Sequence, residues 1–135
     1  GEAIVARSTA ERPDAVFCST DHLAMGLVRA LLDGGVRVPE DIAVVGFDNL
    51  ALAEHIDPPL TTVAQDPMSI GKEAARRLLA LIEGEPAQDI WTLLPTQLVI
   101  RNSTAPAGGK EDATGAVIPV STETAVGKSS EQEHV

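Results

Sequence analysis

The stretch AVFCSTDHLAMGLVRALLDGGVRVPEDIAVVGF, residues 15–47, decides the fold, because it places a helical pattern between two short apolar runs. The first run, Ala15–Cys18, follows a turn at Pro13. The second run, Ile42–Phe47, is apolar on both faces, as strands of parallel sheets tend to be. A strand, a helix and a strand with short connections predict a βαβ unit with a right-handed crossover, and therefore an α/β fold built on a parallel sheet.

The middle of this stretch has one apolar face at helical spacing and a signal at each end. Ser, Thr and Asp at 19–21 offer side-chain oxygens that cap the amino terminus of a helix. The pair Gly34 and Gly35 ends the pattern. The apolar positions that we expect to form the buried face are Leu23, Leu27, Val28, Leu31 and Leu32.

The remaining pattern continues the alternation of strands and helices. LTTVA at 60–64 predicts a third strand, and Asp66 followed by Pro67 predicts a second long helix that ends at Gly84. The apolar stripe of this helix is formed by Ile70, Ala74, Leu78, Leu81 and Ile82. IWTLLPTQLVI at 90–100 predicts one or two further strands. We expect Phe17 and Phe47 in the core.

Residues 103–135 differ in composition from the rest of the chain. They contain no Leu and no aromatic residue, and are rich in Ser, Thr, Gly, Ala, Glu and Lys. Such a segment buries too little apolar surface to offset the entropy of ordering. We therefore expect residues 1–102 to form the folded domain and residues 103–135 to be a disordered tail.

Charge and cysteine content limit the classes of partner and compartment. The 135 residues carry a net charge of −10, which argues against direct contact between this chain and nucleic acid phosphates. The sequence shows no signal peptide and no apolar run of about eighteen residues, the length of a membrane helix. The single Cys18 cannot form an internal disulfide. We expect a cytoplasmic protein that does not associate with membranes.

Polar side chains follow each predicted parallel strand at the point where the strand ends. Thr20 and Asp21 follow the first strand. Asp48 follows the second, and Gln65 follows the third. Ligands bind open α/β sheets in the crevice beyond these carboxyl ends. A carboxylate that accepts two donors, beside an amide that donates and accepts, suits a neutral polyol with neighbouring hydroxyls. Two structural alternatives stay open: Asp48 or Asn49 caps a following short helix, and Asp21 complements the dipole of its own helix.

Four blocks of the chain carry a family resemblance. They are RPDAVFCSTDHLAMGLVRALLDGGVRVPEDIAVVGFDN at 12–49, PPLTTVAQD at 58–66, GKEAARRLLALIEG at 71–84 and LPTQLVIRNST at 94–104. In this order and spacing they resemble the C-terminal half of LacI-type (lactose-repressor family) transcriptional regulators. The resemblance implies a lobe of a periplasmic-binding-protein-like effector domain, incomplete in this chain.

The resemblance also implies a function. Members of the family bind small sugars or nucleosides between two lobes and thereby change the affinity of a homodimer for operator DNA, which a separate N-terminal domain contacts. Asp48 matches the carboxylate that holds effector hydroxyls, and Gln65 falls at a cleft position. Thr20 and Asp21 match an Asn-Asp pair of the family. Because a Thr hydroxyl cannot replace an amide, we expect an effector unlike that of a typical sugar-responsive member. No cofactor and no metal are implied.

Two further expectations concern surfaces. The resemblance places Met25, Arg29, Ala53 and Ile56 on faces that the family uses for dimerisation, although ordinary packing within the lobe is an alternative for each. In the family the chain crosses back to the first lobe after the LTTV strand. We therefore expect residues 67–100 to pack on a lobe that is mostly missing here, and the helix from Pro67 to expose an apolar face.

Two other classes of function compete with a regulator. A sugar-binding protein of a transport system shares the fold but carries a signal peptide. For an enzyme, Ser69 and Lys72 complete an S-x-x-K motif, but its S-D-N and K-T-G partner motifs do not occur. The three histidines have no metal-ligand spacing. We expect the effector-sensing portion of a transcriptional regulator, and not an enzyme.

Overall fold

The computed structural model describes residues 1–85, 91–104 and 117–120. Their helices are α1 (Glu2–Val5), α2 (Asp21–Asp33) and α3 (Pro67–Ile82), with single-turn 3₁₀ helices at Thr9–Glu11 and Ala51–Glu54. Their strands are β1 (Ala15–Phe17), β2 (Ala43–Phe47), β3 (Thr61–Ala64), β4 (Thr96–Val99) and β5 (Val117–Val120). Contacts divide these residues into two units: the first covers 1–65, 96–104 and 117–119, and the second covers the remainder.

The sheet of the first unit has the order β1-β2-β3-β4-β5, and its first three strands run parallel. Phe17 lies beside Val45 in one pairing, and Phe47 lies beside Val63 in the next. Helix α2 connects β1 to β2, so the predicted βαβ unit and the α/β class are confirmed. Because the three strands are parallel, their carboxyl ends lie along one edge of the sheet. We call this edge the carboxyl edge.

Strand β4 joins the same sheet and runs antiparallel to β3. Thr62 lies opposite Val99, and Ala64 lies opposite Gln97. We expected residues 67–100 to pack on a missing lobe, and for residues 96–99 that expectation is wrong. The physical reason is that β3 would otherwise present unpaired N–H and C=O groups along its outer side, and β4 supplies their partners.

The core forms between α2 and the sheet. The α2 side chains that enter it are Ala24, Leu27, Val28 and Leu31. Leu23 is 60% exposed and Leu32 is also exposed, so the prediction that both are buried is wrong. At 3.6 residues per turn these two positions lie about 90° to either side of the centre of the buried face. Burial of a side chain such as Leu31 contributes about 1.5–3 kcal/mol.

Phe17 is a second correction to the predicted core. It is 62% exposed, whereas its neighbour Val16 packs against the core. Successive side chains of a strand point to opposite faces, and α2 covers only the face to which Val16 points. Phe47 is half-buried.

The folded region extends past the predicted boundary at residue 102. Ser103 is fully buried, and its hydroxyl donates to the carbonyl of Val44 at 2.6 Å and accepts from the amide of Thr61 at 2.8 Å. The backbone of Ser103 bonds to both Val44 and Pro59, and β5 is a further strand within the predicted tail. The expected start of the tail is therefore wrong, because backbone groups at the entries of β2 and β3 need these partners. The rest of the predicted tail, 105–116 and 121–135, lies outside the described residues.

Helix α3 belongs to the second unit and begins as its sequence predicts. The carboxylate of Asp66 caps it by accepting from the amides of Met68 and Ser69, each at 3.1 Å, and Pro67 occupies its first turn. None of its residues is buried, and Leu78 is 59% exposed. The expected exposed apolar face of this helix is therefore present.

Candidate functional site

Asp48 and Gln65 meet at the carboxyl edge. Asp48 follows β2 directly, and its amide donates to the carbonyl of Val63 in β3 at 2.9 Å. Gln65 follows β3, and its Nε2 donates to Oδ1 of Asp48 at 2.7 Å. Both side chains are half-buried. The parallel register thus brings together two of the four residues that the sequence nominated, as a carboxylate and an amide in direct contact.

The backbone at Asp48 has an unusual conformation. Asp48 has φ 109° and Asn49 has φ 53°, and residues other than Gly, Asn and Asp rarely adopt such positive values. The following 3₁₀ helix, Ala51–Glu54, has Leu50 at its N-cap and no side-chain capping bond. The alternative in which Asp48 or Asn49 caps that helix is therefore wrong. Strained conformations of this kind, at about 1–3 kcal/mol each, persist where surrounding contacts enforce them.

Asp21 takes a different place from the one expected of a ligand-binding residue. It is fully buried. Its Oδ1 accepts from the hydroxyl of Thr62 at 2.6 Å, and its Oδ2 accepts from the amide of Leu50 at 2.8 Å. A Cβ atom on Gly46 would collide with this carboxylate, so the glycine leaves room for it. Asp21 is therefore not exposed to a ligand. It ties the start of α2 to β3 and to the segment that follows Asp48.

Thr20 lies at the same edge, immediately before Asp21. Its hydroxyl accepts from the amide of Leu23 at 3.3 Å and so caps α2. The side chain is half-buried. Since a hydroxyl has one donor and two lone pairs, Thr20 keeps its own O–H for a second partner.

The sequence did not nominate Arg101, which follows β4 beside the start of β3 and whose side chain reaches Asn49. Its side chain is only 14% exposed. One guanidinium nitrogen donates to the carbonyl of Leu60 at 2.8 Å, and the other donates to Oδ1 of Asn49 at 2.9 Å. The carboxylate of Glu54 lies 4.0 Å away. In the sequence the only signal was a cation directly after an apolar strand, which does not reveal contacts that span 52 positions.

The four residues expected at a dimer interface are placed unequally. Arg29 is exposed and forms an ion pair with Asp33 at 2.8 Å. Met25 and Ile56 are partly buried against the core. Ala53 is fully buried, so the expectation that it contacts a partner is wrong in this arrangement. The turn at 51–54 folds inward because the amide of Leu60 bonds to the carbonyl of Ala53 at 2.7 Å.

An open depression of about 470 Å³ lies between α1 and α2, away from Asp48 and Gln65. Its lining includes Val5, Arg29 and Asp33 and none of the residues nominated for ligand binding. Most of its wall is aliphatic or formed by an ion pair that is already satisfied. It therefore does not compete with the carboxyl edge as the candidate site.

Ser69, the nucleophile position of the S-x-x-K motif, has a structural partner. The hydroxyl of Ser69 donates to Oδ2 of Asp66 at 2.6 Å, within the cap of α3, and this bond lowers the pKa of Asp66. Burial raises the pKa of the Cys18 thiol, which makes it a weaker nucleophile at neutral pH. Within the described ranges, His, Cys, Asp and Glu form no group of three that could hold a metal ion. In the same part of the chain, no helix is both long and apolar enough to cross a membrane.

Comparison with known proteins assigns the chain to a family. The family model described as a periplasmic binding protein-like domain matches residues 2–104. The chain is 41% identical, over 93 residues, to the HTH-type transcriptional repressor PurR of Vibrio parahaemolyticus; the match covers 69% of this chain and 28% of that repressor. The chain thus spans little more than a quarter of the length of that relative.

Solved structures give the same result. The transcriptional regulator CelR in complex with cellobiose is 43% identical, with a TM-score of 0.63, and the match covers 67% of this chain and 28% of that one. The lac repressor dimer bound to operator and an anti-inducer is 39% identical, with a TM-score of 0.64, and the match covers 68% and 32%. The chain belongs to the periplasmic-binding-protein-like domain family, in the form found in LacI-type transcriptional regulators.

Proposed function

We propose that this chain is the effector-binding and dimerisation portion of a LacI-type DNA-binding regulator, and that it senses a small sugar- or nucleoside-like ligand. The single observation that carries the proposal is the bonded pair of Asp48 and Gln65 at the carboxyl edge of a parallel sheet. The relatives named above are regulators, and one of them was solved with cellobiose. They favour a regulator over the sugar-binding protein of a transport system.

The pair suits a ligand with neighbouring hydroxyls. A carboxylate has two oxygens and about four acceptor positions, of which Gln65 uses one on Oδ1. Oδ2 of Asp48 is then the acceptor for a ligand hydroxyl, and the amide of Gln65 adds a carbonyl acceptor and a second N–H. Thr20 contributes one O–H at the rim. The site recognises hydroxyls by several directional contacts and does not require a charged ligand.

Asp21 supports this site without contacting the ligand. Its buried carboxylate holds the amide of Leu50 and the hydroxyl of Thr62. The Thr62 hydroxyl also accepts from the amide of Asn49 at 3.3 Å. These bonds fix the two residues after Asp48 and so restrict the direction of its carboxylate.

The proposed mechanism is closure of two lobes on the ligand. A ligand shifts the lobe arrangement only by its differential affinity for the open and closed forms. In a homodimer that shift changes the affinity for operator DNA, which is bound by a part of the protein outside these 135 residues. The positions that keep exposed surface for the dimer contact are Arg29 and, in part, Met25 and Ile56. Such a regulator acts in the cytoplasm and needs no cofactor.

The test is a titration of the intact regulator with a panel of mono- and disaccharides and nucleosides, followed by calorimetry on Asp48→Asn. Loss of one charged hydrogen bond, about 1.5–3 kcal/mol, should weaken effector affinity roughly 10- to 150-fold. Operator affinity without effector should stay unchanged. Asp14→Asn is the matched control, because Asp14 is exposed just before β1, at the opposite edge of the sheet.

Two results would contradict the proposal. Unchanged effector affinity in Asp48→Asn, with the same folded structure, would remove Asp48 from the site. Turnover of a bound ligand that is lost in Ser69→Ala would indicate an enzyme and overturn the regulator.

A further inference from the structure

Arg101 connects the candidate site to the far end of the sheet. It follows β4, and its amide donates to Oγ1 of Thr61 at 2.8 Å, at the start of β3. From this anchored position its nearly buried side chain reaches Asn49, at the end of β2. Arg101 therefore joins segments that are far apart in the sequence, and one of them is the segment that carries Asp48.

The guanidinium of Arg101 bonds Asn49 and Leu60 at the same time, and we call this pair of contacts the clamp. The guanidinium is planar and presents its N–H groups in a fixed fork, so two acceptors held by it cannot move independently. Here the two acceptors are Oδ1 of Asn49 and the carbonyl of Leu60. Leu60 is fully buried and gives the clamp a rigid base. The side chain of Asn49 is thereby held against the start of β3.

The contact with Arg101 is important because Asn49 has an unusual backbone conformation. Asp48 and Asn49 adopt positive φ in succession, and such a conformation persists only where neighbouring contacts enforce it. The amide of Asn49 is held by Thr62, and its side chain is held by Arg101. If the side-chain hold were lost, φ of Asn49 could relax, and the Asp48 carboxylate would turn away from Gln65.

We propose that Arg101 is a positioning residue for the effector site, which acts through Asn49 to direct the Asp48 carboxylate towards Gln65. The inference rests on the proposed function for its biological meaning. Its physical content, the coupling of Arg101 to the Asp48–Gln65 hydrogen bond, does not depend on a ligand. Arg101 itself does not contact the effector.

The experiment follows the side-chain amide of Gln65 in a nitrogen–proton correlation spectrum of the whole chain, without ligand. Gln65→Ala assigns the signals, and Asp48→Asn defines their position when the carboxylate is removed. In Arg101→Lys, which keeps the charge but loses the fork, the signals should move towards those of Asp48→Asn. Arg37→Lys, the same change at an exposed ion pair, should leave them in place.

A second variant separates positioning from general stability. Asn49→Gly keeps access to positive φ but removes the side chain that Arg101 holds. In this background Arg101→Lys should cause no further shift of the Gln65 signals, although it should lower the melting temperature as it does in the parent, because the bond to Leu60 is lost in both. If Arg101→Lys lowers the melting temperature and leaves the Gln65 signals of the parent unmoved, Arg101 is merely structural and the inference fails. An equal further shift in the Asn49→Gly background would also overturn it.

Failure of this inference and failure of the proposed function give different results. Where the Gln65 signals respond to Arg101→Lys but Asp48→Asn leaves effector affinity unchanged, the clamp exists and the effector site is elsewhere. Where Asp48→Asn weakens effector binding and Arg101→Lys leaves both binding and the Gln65 signals intact, the site stands and the clamp does not. Where the Gln65 signals respond to Arg101→Lys and Asp48→Asn weakens effector binding, both proposals hold. Arg101→Lys should then weaken effector binding by about tenfold, the size of one lost directional hydrogen bond.

Discussion

Substitution of Ser103 by Ala tests whether the folded region extends past residue 102. The Ser103 hydroxyl is the only side-chain group removed, and it serves the carbonyl of Val44 at 2.6 Å and the amide of Thr61 at 2.8 Å. Val44 and Thr61 are themselves buried, so water cannot replace the hydroxyl without rearrangement. The backbone bonds of Ser103 would remain, because they involve its own amide and carbonyl.

The magnitude follows from the two groups left without partners. Each buried donor or acceptor that loses its hydrogen bond costs about 1–3 kcal/mol, so the free energy of unfolding should fall by roughly 2–6 kcal/mol. A small domain has about 5–15 kcal/mol in total, so this loss is a large fraction of its stability. At about 4–8 °C per kcal/mol the melting temperature should fall by at least roughly 8 °C.

Urea denaturation and a thermal melt followed by circular dichroism measure both quantities. Asn102→Ala is the matched control, because Asn102 is exposed and immediately adjacent. It should change the free energy of unfolding by no more than about 0.5 kcal/mol. A Ser103→Ala variant as stable as Asn102→Ala would refute the reasoning and return the boundary to residue 102.

Four other substitutions test separate parts of the structure. Hydrogen bonding to Arg37 lowers the pKa of Asp41 from 3.8 to about 2. The ionised Asp41 therefore stabilises the fold fully above pH 3.8, and this contribution is lost as the pH falls towards 2. Asp41→Asn should remove that part of the acid sensitivity, measured in urea melts across this pH range. Gly46→Ala should destabilise the chain by about 1–3 kcal/mol through overpacking, whereas Gly26→Ala, in an open part of α2, should stabilise it by about 0.5–1 kcal/mol in the same melts. Leu78→Lys should lower the binding of an apolar dye and shift stability by no more than about 0.5 kcal/mol, and a large loss of stability would mean that this side chain is packed.

The parts of the fold that the sequence predicts are those with a local period. Strands β1, β2 and β3 and helices α2 and α3 follow from apolar runs and caps within a few residues of each other. The side of α2 that faces the core was less predictable, because residues four positions apart are displaced by about 40° around a helix. Only contact with the sheet decides that Ala24 faces inward and Leu23 outward.

The candidate site divides in the same way. The meeting of Asp48 and Gln65 is predictable, because parallel strands place their carboxyl ends at one edge whatever their side chains are. The burial of Asp21 is not, since its partners Thr62 and Leu50 lie 41 and 29 positions away. The same holds for Arg101. Contacts at these separations leave no periodic signal, so a single sequence nominates the polar residues at an edge but not which of them support the others.

The bond between Gln65 and Asp48 also bears on how selective the site can be. A site whose buried acceptor has no other partner rejects a ligand that lacks the matching hydroxyl by about 10⁴-fold or more, because the acceptor is then left unpaired. Asp48 keeps its partner at 2.7 Å in the absence of a hydroxyl, so the penalty is softened. We therefore expect a deoxy analogue of the effector to bind only about 10- to 150-fold more weakly than the effector itself, the effect of one bond to a charged group. In Gln65→Leu the carboxylate loses that partner, and the ratio of the two affinities, measured by calorimetry, should widen. A ratio that stays the same or narrows would mean that Gln65 contacts the ligand independently of Asp48 and does not hold the carboxylate ready for it.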